Sequence, residues 1–143
     1  MLPRYPLQIP RGAHVCRRRL ARLLGERHPT GTIGIGHTRW ATHGEPNEVN
    51  AHPHRDGKVV LVHNGIIENF QELREELIAA GHRFETETDT EAVVHLISHH
   101  LDQQLTPQEA VARSLKRLEG VFALAIIFAG RHDIMIGARR GAP

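Results

Sequence analysis

The spacing of apolar residues along the chain changes from segment to segment, and each change marks an element. Thr32-Ile33-Gly34-Ile35-Gly36 is an apolar run threaded with glycine, which predicts a short buried strand over residues 32–37. The polar stretch Glu45 to Asn50, with Pro46, follows it, so Arg39 to Gly44 should leave the strand as a loop. Val49 to Asp56 continues as loop and closes on an Asp56-Gly57 turn. Lys58 to His63 is almost continuously apolar, as expected of a strand covered on both faces. Beyond it, Phe70, Leu73, Leu77 and Ile78 recur at helical spacing, with Asn69 as cap, Glu72 three residues on and Gly81 as stop. Asn64-Gly65 on its own would signal a tight hairpin turn. Because a helix rather than a second strand follows, it is read as a strand-to-helix corner.

Arg83 to Thr86 predicts a short strand. Thr88 and Glu91 form a capping box that opens a second helix, with Val93, Leu96-Ile97 and Leu101 as its apolar stripe. His95, His99 and His100 fall outside that stripe and are read as a solvated face. Thr106-Pro107-Gln108-Glu109 opens a third helix, whose buried face is Ala110-Val111, Leu115 and Leu118. Val121–Ala129 and Asp133–Ala138 read as strands joined at Gly130-Arg131-His132. Helices grouped between paired strands imply an α+β fold, with helices packed on antiparallel sheet.

Composition adds limits. At 143 residues the chain is one domain's worth, long enough to bury roughly two-thirds of its unfolded surface. No apolar run approaches the ~20 residues of a membrane helix, and no membrane partner is expected. The single cysteine excludes an internal disulfide framework and suits a reducing cytoplasm. The net charge of +2 hides an asymmetry: residues 1–30 carry seven arginines and one acid, whereas the remainder is mildly acidic. Nucleic-acid binding by the folded body is therefore not expected. Residues 1–19 show no family-like pattern and are expected to be disordered or a short helix, the latter within His14 to Gly25. Their Arg-rich, acid-poor character is that of an organellar transit peptide, but the serines expected of one are missing.

Candidate chemistry concentrates in Gly36 to Gly44, which holds His37, Thr38, Arg39, Trp40, Thr42 and His43 between glycines. An Arg fork on a loop at a strand end suits a planar carboxylate. The competing reading is a surface arginine under a packed tryptophan. The twelve histidines, among them His37, His43, His52, His54 and His63, match no established ligand spacing, and neither metal nor cofactor is expected.

Four motifs occur in order: HTRWATHG at 37–44, VNAHPH at 49–54, HNGIIEN at 63–69 and ETDTE at 87–91. Together they resemble the glutaminase domains of the class II glutamine amidotransferases, specifically those of the glutamine–fructose-6-phosphate aminotransferase family. The resemblance covers residues 20–143. It implies the four-layer αββα sandwich of the N-terminal-nucleophile hydrolases, incomplete here because the first and last strands are missing. It also assigns roles within the site. Arg39 would grip the α-carboxylate of L-glutamine and Asp89 the α-ammonium. The Asn64 amide and the Gly65 backbone N–H would form the oxyanion hole. Trp40, Thr42 and His43 would line a loop that closes over substrate. By position alone, Asp89 would merely favour a helix N-terminus.

The family's nucleophile is an N-terminal cysteine, whereas here Met1 precedes Leu2 and the only thiol, Cys16, lies among arginines. The nucleophilic cysteine is thus expected to be absent and the chain inactive alone. The sugar isomerase domain of the family is also expected to be absent, and any homodimer to form only through such missing domains. Two alternatives stay open: a non-catalytic glutamine-binding module, and a fragment of another class II amidotransferase such as amidophosphoribosyltransferase.

Overall fold

The computed structural model of the chain describes Arg22, Gly25 and residues 33–37 and 49–141, apart from the side chain of His132. The described elements are β1 (His54–Arg55), β2 (Val59–Ile67), α1 (Phe70–Ala79), α2 (Asp89–Asp102), α3 (Pro107–Leu115), β3 (Gly120–Phe128) and β4 (Arg131–Arg140). The strands form one antiparallel four-stranded sheet in the order β1-β2-β3-β4. The α+β class with an antiparallel sheet agrees with the sequence pattern.

Alternation in β3 creates the core. Phe122, Leu124, Ile126 and Phe128 face the helices and are buried, and their partners Leu61, Val59 and Ile136 lie on the same side. The helix-side core continues through Leu73 and Leu77 of α1, Val93, Leu96 and Ile97 of α2, and Ala110 and Val111 of α3. Each buried aliphatic side chain contributes roughly 1.5–3 kcal/mol relative to leaving it exposed. Val59 to His63 is buried throughout, as its unbroken apolar run predicts.

Helix α2 occupies the centre, packed against α1, α3 and β2. Here the structure corrects the solvated histidine face: His95 and His100 are buried and His99 is half-buried. Neighbouring elements cover both flanks of the helix. Phe84 from the α1–α2 loop packs edge-on against the His95 ring at 4.6 Å. His100 Nδ1 lies 2.9 Å from Ser114 Oγ, which itself donates to the Ala110 carbonyl. Nδ1 therefore carries the proton of a neutral ring, and burial pushes the His100 pKa down.

Three further expectations change. Residues 33–37 join no ladder among the described residues; glycines at 34 and 36 weaken strand pairing. Asn64-Gly65 is not the strand-to-helix corner: β2 runs on to Ile67, with Asn64 opposite Ala123 and Gly65 opposite Phe122, and the turn falls at Glu68-Asn69. Arg83 to Thr86 is not a strand, because its amides are claimed by a side chain. Glu91 accepts from the Glu85 and Thr86 N–H groups at 2.8 Å and from the Thr86 hydroxyl at 2.7 Å.

The capping predictions divide in the same way. The Thr106/Glu109 box is complete. Thr88 does cap α2, accepting from the Glu91 N–H at 3.3 Å, but Glu91 spends its carboxylate on the loop rather than on the cap. Asn69 stands at the N-cap of α1 without a side-chain cap bond. Its amide instead bridges to the segment after α3, donating to the Arg117 carbonyl and accepting from the Glu119 N–H.

Candidate active site

The strand that forms the core also carries the candidate chemistry. After five buried residues, Asn64, Gly65 and Ile66 are exposed, and Ile67 is buried again. Pairing with β3 continues unbroken through all of them. Gly65 has φ +115°, and a Cβ there would stand 2.1 Å from the Val121 carbonyl oxygen. Glycine is thus required by the backbone itself, before any argument from substrate approach.

Asp89 begins α2 and is buried. Its Oδ2 accepts from the Ile67 N–H at 2.9 Å, tying the helix start to the end of β2. Its Oδ1 lies 3.4 Å from the Thr90 hydroxyl and 3.8 Å from His63 Nδ1. The carboxylate therefore has a structural role that the sequence did not suggest, beyond favouring a helix N-terminus.

The loop before α2 is fixed from several sides. Arg74 donates to the Thr86 carbonyl at 2.9 Å and stacks over Phe84. Asn50 accepts from the Glu87 N–H, and His54 Nε2 lies 3.2 Å from Thr88 Oγ1. Burial pushes the Glu91 carboxyl up, but the His95 ring, with Nε2 3.5 Å away, and the hydrogen bonds from Glu85 and Thr86 outweigh it and hold the group at about 2.

Several polar groups of the site are linked. His37 Nε2 lies 2.6 Å from Asn64 Oδ1. The His37 ring packs at a tilt of 41° against His52, with centroids 4.5 Å apart, and His52 Nε2 lies 3.3 Å from Thr90 Oγ1. Thr90 Oγ1 also meets His63 Nδ1 at 3.0 Å. Sequence reasoning assigned none of His37, His52, His63 and Thr90 a role of its own in the site. Their placement inside the four motifs was the available signal.

Of the predicted site residues, Asn64, Gly65 and Asp89 sit on two elements joined at Ile67. Arg39, Trp40, Thr42, His43 and Cys16 lie outside the described residues. Among the described residues, no group of three or more His, Cys, Asp or Glu side chains could hold a metal ion, and no helix is long and apolar enough to cross a membrane. A polar cavity of about 600 Å³, lined in part by Asp56, His82, Glu91, His95 and Ser98, includes none of the predicted site residues.

Comparison with known proteins identifies the family. The glutamine amidotransferase domain family matches residues 37–141. A glutamine–fructose-6-phosphate aminotransferase (isomerizing) of Mesorhizobium japonicum is 60% identical over 124 residues, covering 87% of this chain and 20% of the relative. That of Gluconobacter oxydans is 57% identical, with the same coverage. The chain thus spans about a fifth of the length of these curated relatives. Among solved structures, the glutamine phosphoribosylpyrophosphate amidotransferase of B. subtilis, complexed with ADP and GMP, is similar with a TM-score of 0.60 and 30% identity. It covers 72% of this chain and 22% of that one. The chain belongs to the glutamine amidotransferase domain family, and its resemblance is to the glutamine–fructose-6-phosphate aminotransferases.

Proposed function

We propose that the chain supplies the glutamine-recognition and oxyanion-stabilising part of a glutaminase domain. In the protein it serves, nitrogen from L-glutamine passes to fructose 6-phosphate, giving glutamate and glucosamine 6-phosphate. The observation that carries this reading is the exposed Asn64-Gly65 pair on β2, joined through Ile67 to the buried carboxylate of Asp89. A side-chain amide on a paired strand is a rigid donor for an oxyanion, worth on the order of 3 kcal/mol in the transition state. Asp89 Oδ1 faces the substrate ammonium, while Arg39 grips the carboxylate. Trp40, Thr42 and His43 close over the substrate and exclude water.

The four-layer αββα reading belongs to the same proposal. The sheet face away from the helices is apolar and partly open: Ile66, Val121 and Met135 are 41%, 51% and 49% exposed. Such a face suits a second packed sheet. The sugar isomerase domain that accepts ammonia lies elsewhere in the longer protein, as does any dimer contact, and the whole acts in the cytoplasm. Residues 20–143 belong to that glutaminase domain.

Exchange of residues 37–141 into the Mesorhizobium relative, replacing its matching segment, tests the function. Glutamine-dependent formation of glucosamine 6-phosphate should persist and should fall at least ~100-fold in kcat/KM with Asp89→Asn, which leaves the substrate ammonium without an opposing charge. A chimera that folds and uses ammonia but not glutamine overturns the proposal. The chain should also bind L-glutamine saturably by calorimetry. A folded chain showing no such binding removes the non-catalytic glutamine-binding alternative along with the main reading.

A further inference from the structure

We infer that His37 is a positioning residue for the oxyanion hole, acting by fixing which end of the Asn64 amide faces the substrate; this rests on the glutaminase reading of the site. A terminal amide has two ends of similar shape and opposite chemistry, an oxygen that accepts and a nitrogen that donates. Only the nitrogen end can stabilise a developing oxyanion; the oxygen end would repel it. Nothing in the strand itself selects one end, since Asn64 is exposed on β2 and its cross-strand neighbour Ala123 offers no polar side chain.

His37 makes the selection. Its Nε2 lies 2.6 Å from Asn64 Oδ1, a short contact between the ring nitrogen and the amide oxygen. An amide oxygen only accepts, so Nε2 must carry the proton and donate. The amide oxygen is then occupied, and Nδ2 has no hydrogen-bond partner among the described residues. With the proton held on Nε2, rotating the amide by half a turn would set N–H against N–H and forfeit the bond, so the tautomer of His37 decides the orientation. A bond of this kind is worth on the order of 1 kcal/mol, enough to bias the two orientations by several-fold.

The ring is itself held. It packs at a tilt against His52, with ring centroids 4.5 Å apart, and His52 Nε2 lies 3.3 Å from Thr90 Oγ1, next to Asp89 on α2. His37 also stands two residues before Arg39 in the chain. The segment leading to the carboxylate-gripping loop, the oxyanion amide and the helix carrying Asp89 therefore share one chain of contacts.

Nuclear magnetic resonance on the full chain tests this. Long-range proton–nitrogen correlation should show neutral His37 protonated on Nε2. His37→Leu should lower the order parameter of the Asn64 side-chain NH2 and abolish the shift of that NH2 pair on adding L-glutamine, with the glutamine Kd changed by no more than about threefold, since the ground state draws little on this donor. His37→Gln, whose amide nitrogen reaches the place of Nε2, should restore both signals. Protonation on Nδ1, or an Asn64 pair that behaves in His37→Leu as in the parent chain, overturns the inference. If the parent chain binds no glutamine, the glutaminase reading fails and with it the substrate-facing half of the inference. The tautomer and the order parameter then still decide whether His37 holds the amide.

Discussion

The two halves of strand β2 obey one pairing rule and do different work. From Val59 to His63 every residue is buried, and from Asn64 to Ile66 every residue is exposed, yet both halves pair residue by residue with β3. What differs is the cover. The first half contributes Val59 and Leu61 to the core cluster and His63 to the contact with Thr90 of α2, whereas the second runs beyond it until Asp89 takes up the Ile67 amide. A paired strand fixes backbone geometry whether or not its side chains are buried. The candidate site borrows that rigidity without being part of the core.

Five substitutions test this contrast, beginning with the largest effect. Gly65→Val should destabilise the chain by about 4 kcal/mol, combining positive-φ strain with a Cβ forced onto the Val121 carbonyl. Denaturant unfolding measures it, and a loss under ~1 kcal/mol would mean that β2 does not hold its register at Gly65.

Next, Leu61→Ala and Asn64→Ala should separate cleanly. The first removes a fully buried side chain and should cost about 3 kcal/mol while leaving glutamine use by the folded protein unchanged. The second should change stability by less than ~0.5 kcal/mol but lower kcat of the Mesorhizobium chimera about a hundredfold. Equal effects of the pair on stability would erase the distinction between the two halves.

Glu91→Gln should cost about 1.5 kcal/mol near neutral pH, because its carboxylate anchors the loop ahead of Asp89 with charge-assisted bonds. Its folded pKa lies below the ordinary glutamate value. The stabilisation is therefore complete above the unfolded pKa, near ~4.3, and is lost as pH falls toward about 2. Acid unfolding curves for the parent and the Gln variant should converge at the acidic end of that window. Smallest of all, Arg117→Ala should cost under ~1 kcal/mol and less in high salt, since its bidentate pair with Glu76 is largely exposed.

Much of this was legible in the chain. Local signals sufficed for α1, α2 and α3, because helical period and terminal capping residues are encoded within a few positions. Lys58 to His63 announced a strand buried on both faces by the absence of any polar alternation. The four motifs brought Asn64, Gly65 and Asp89 forward as site residues, with roles drawn from resemblance. The failures share one cause, a local signal overruled by a contact from outside the segment that carries it. Asn64-Gly65 looks like a corner because NG is a turn dipeptide, but pairing with Ala123 and Phe122 keeps both residues in the ladder. Arg83 to Thr86 looks like a strand until Glu91 takes its amides. His95 and His100 look solvated because imidazole counts as polar, and only Phe84 and Ser114 reveal their burial.

Residue type and spacing within single segments were enough for the three helices, for β2, β3 and β4, for their order and so for the antiparallel α+β class. Four motifs in order were enough for the family. Tertiary structure alone decided which polar side chains meet. Hydrogen bonds act over about 3 Å, whereas His37 and Asn64, like Ile67 and Asp89, lie more than twenty positions apart in the chain. No periodicity spans such a gap. The sheet register and the seating of α2 close it, and they thereby put an exposed amide and an anchored carboxylate on two elements joined at Ile67.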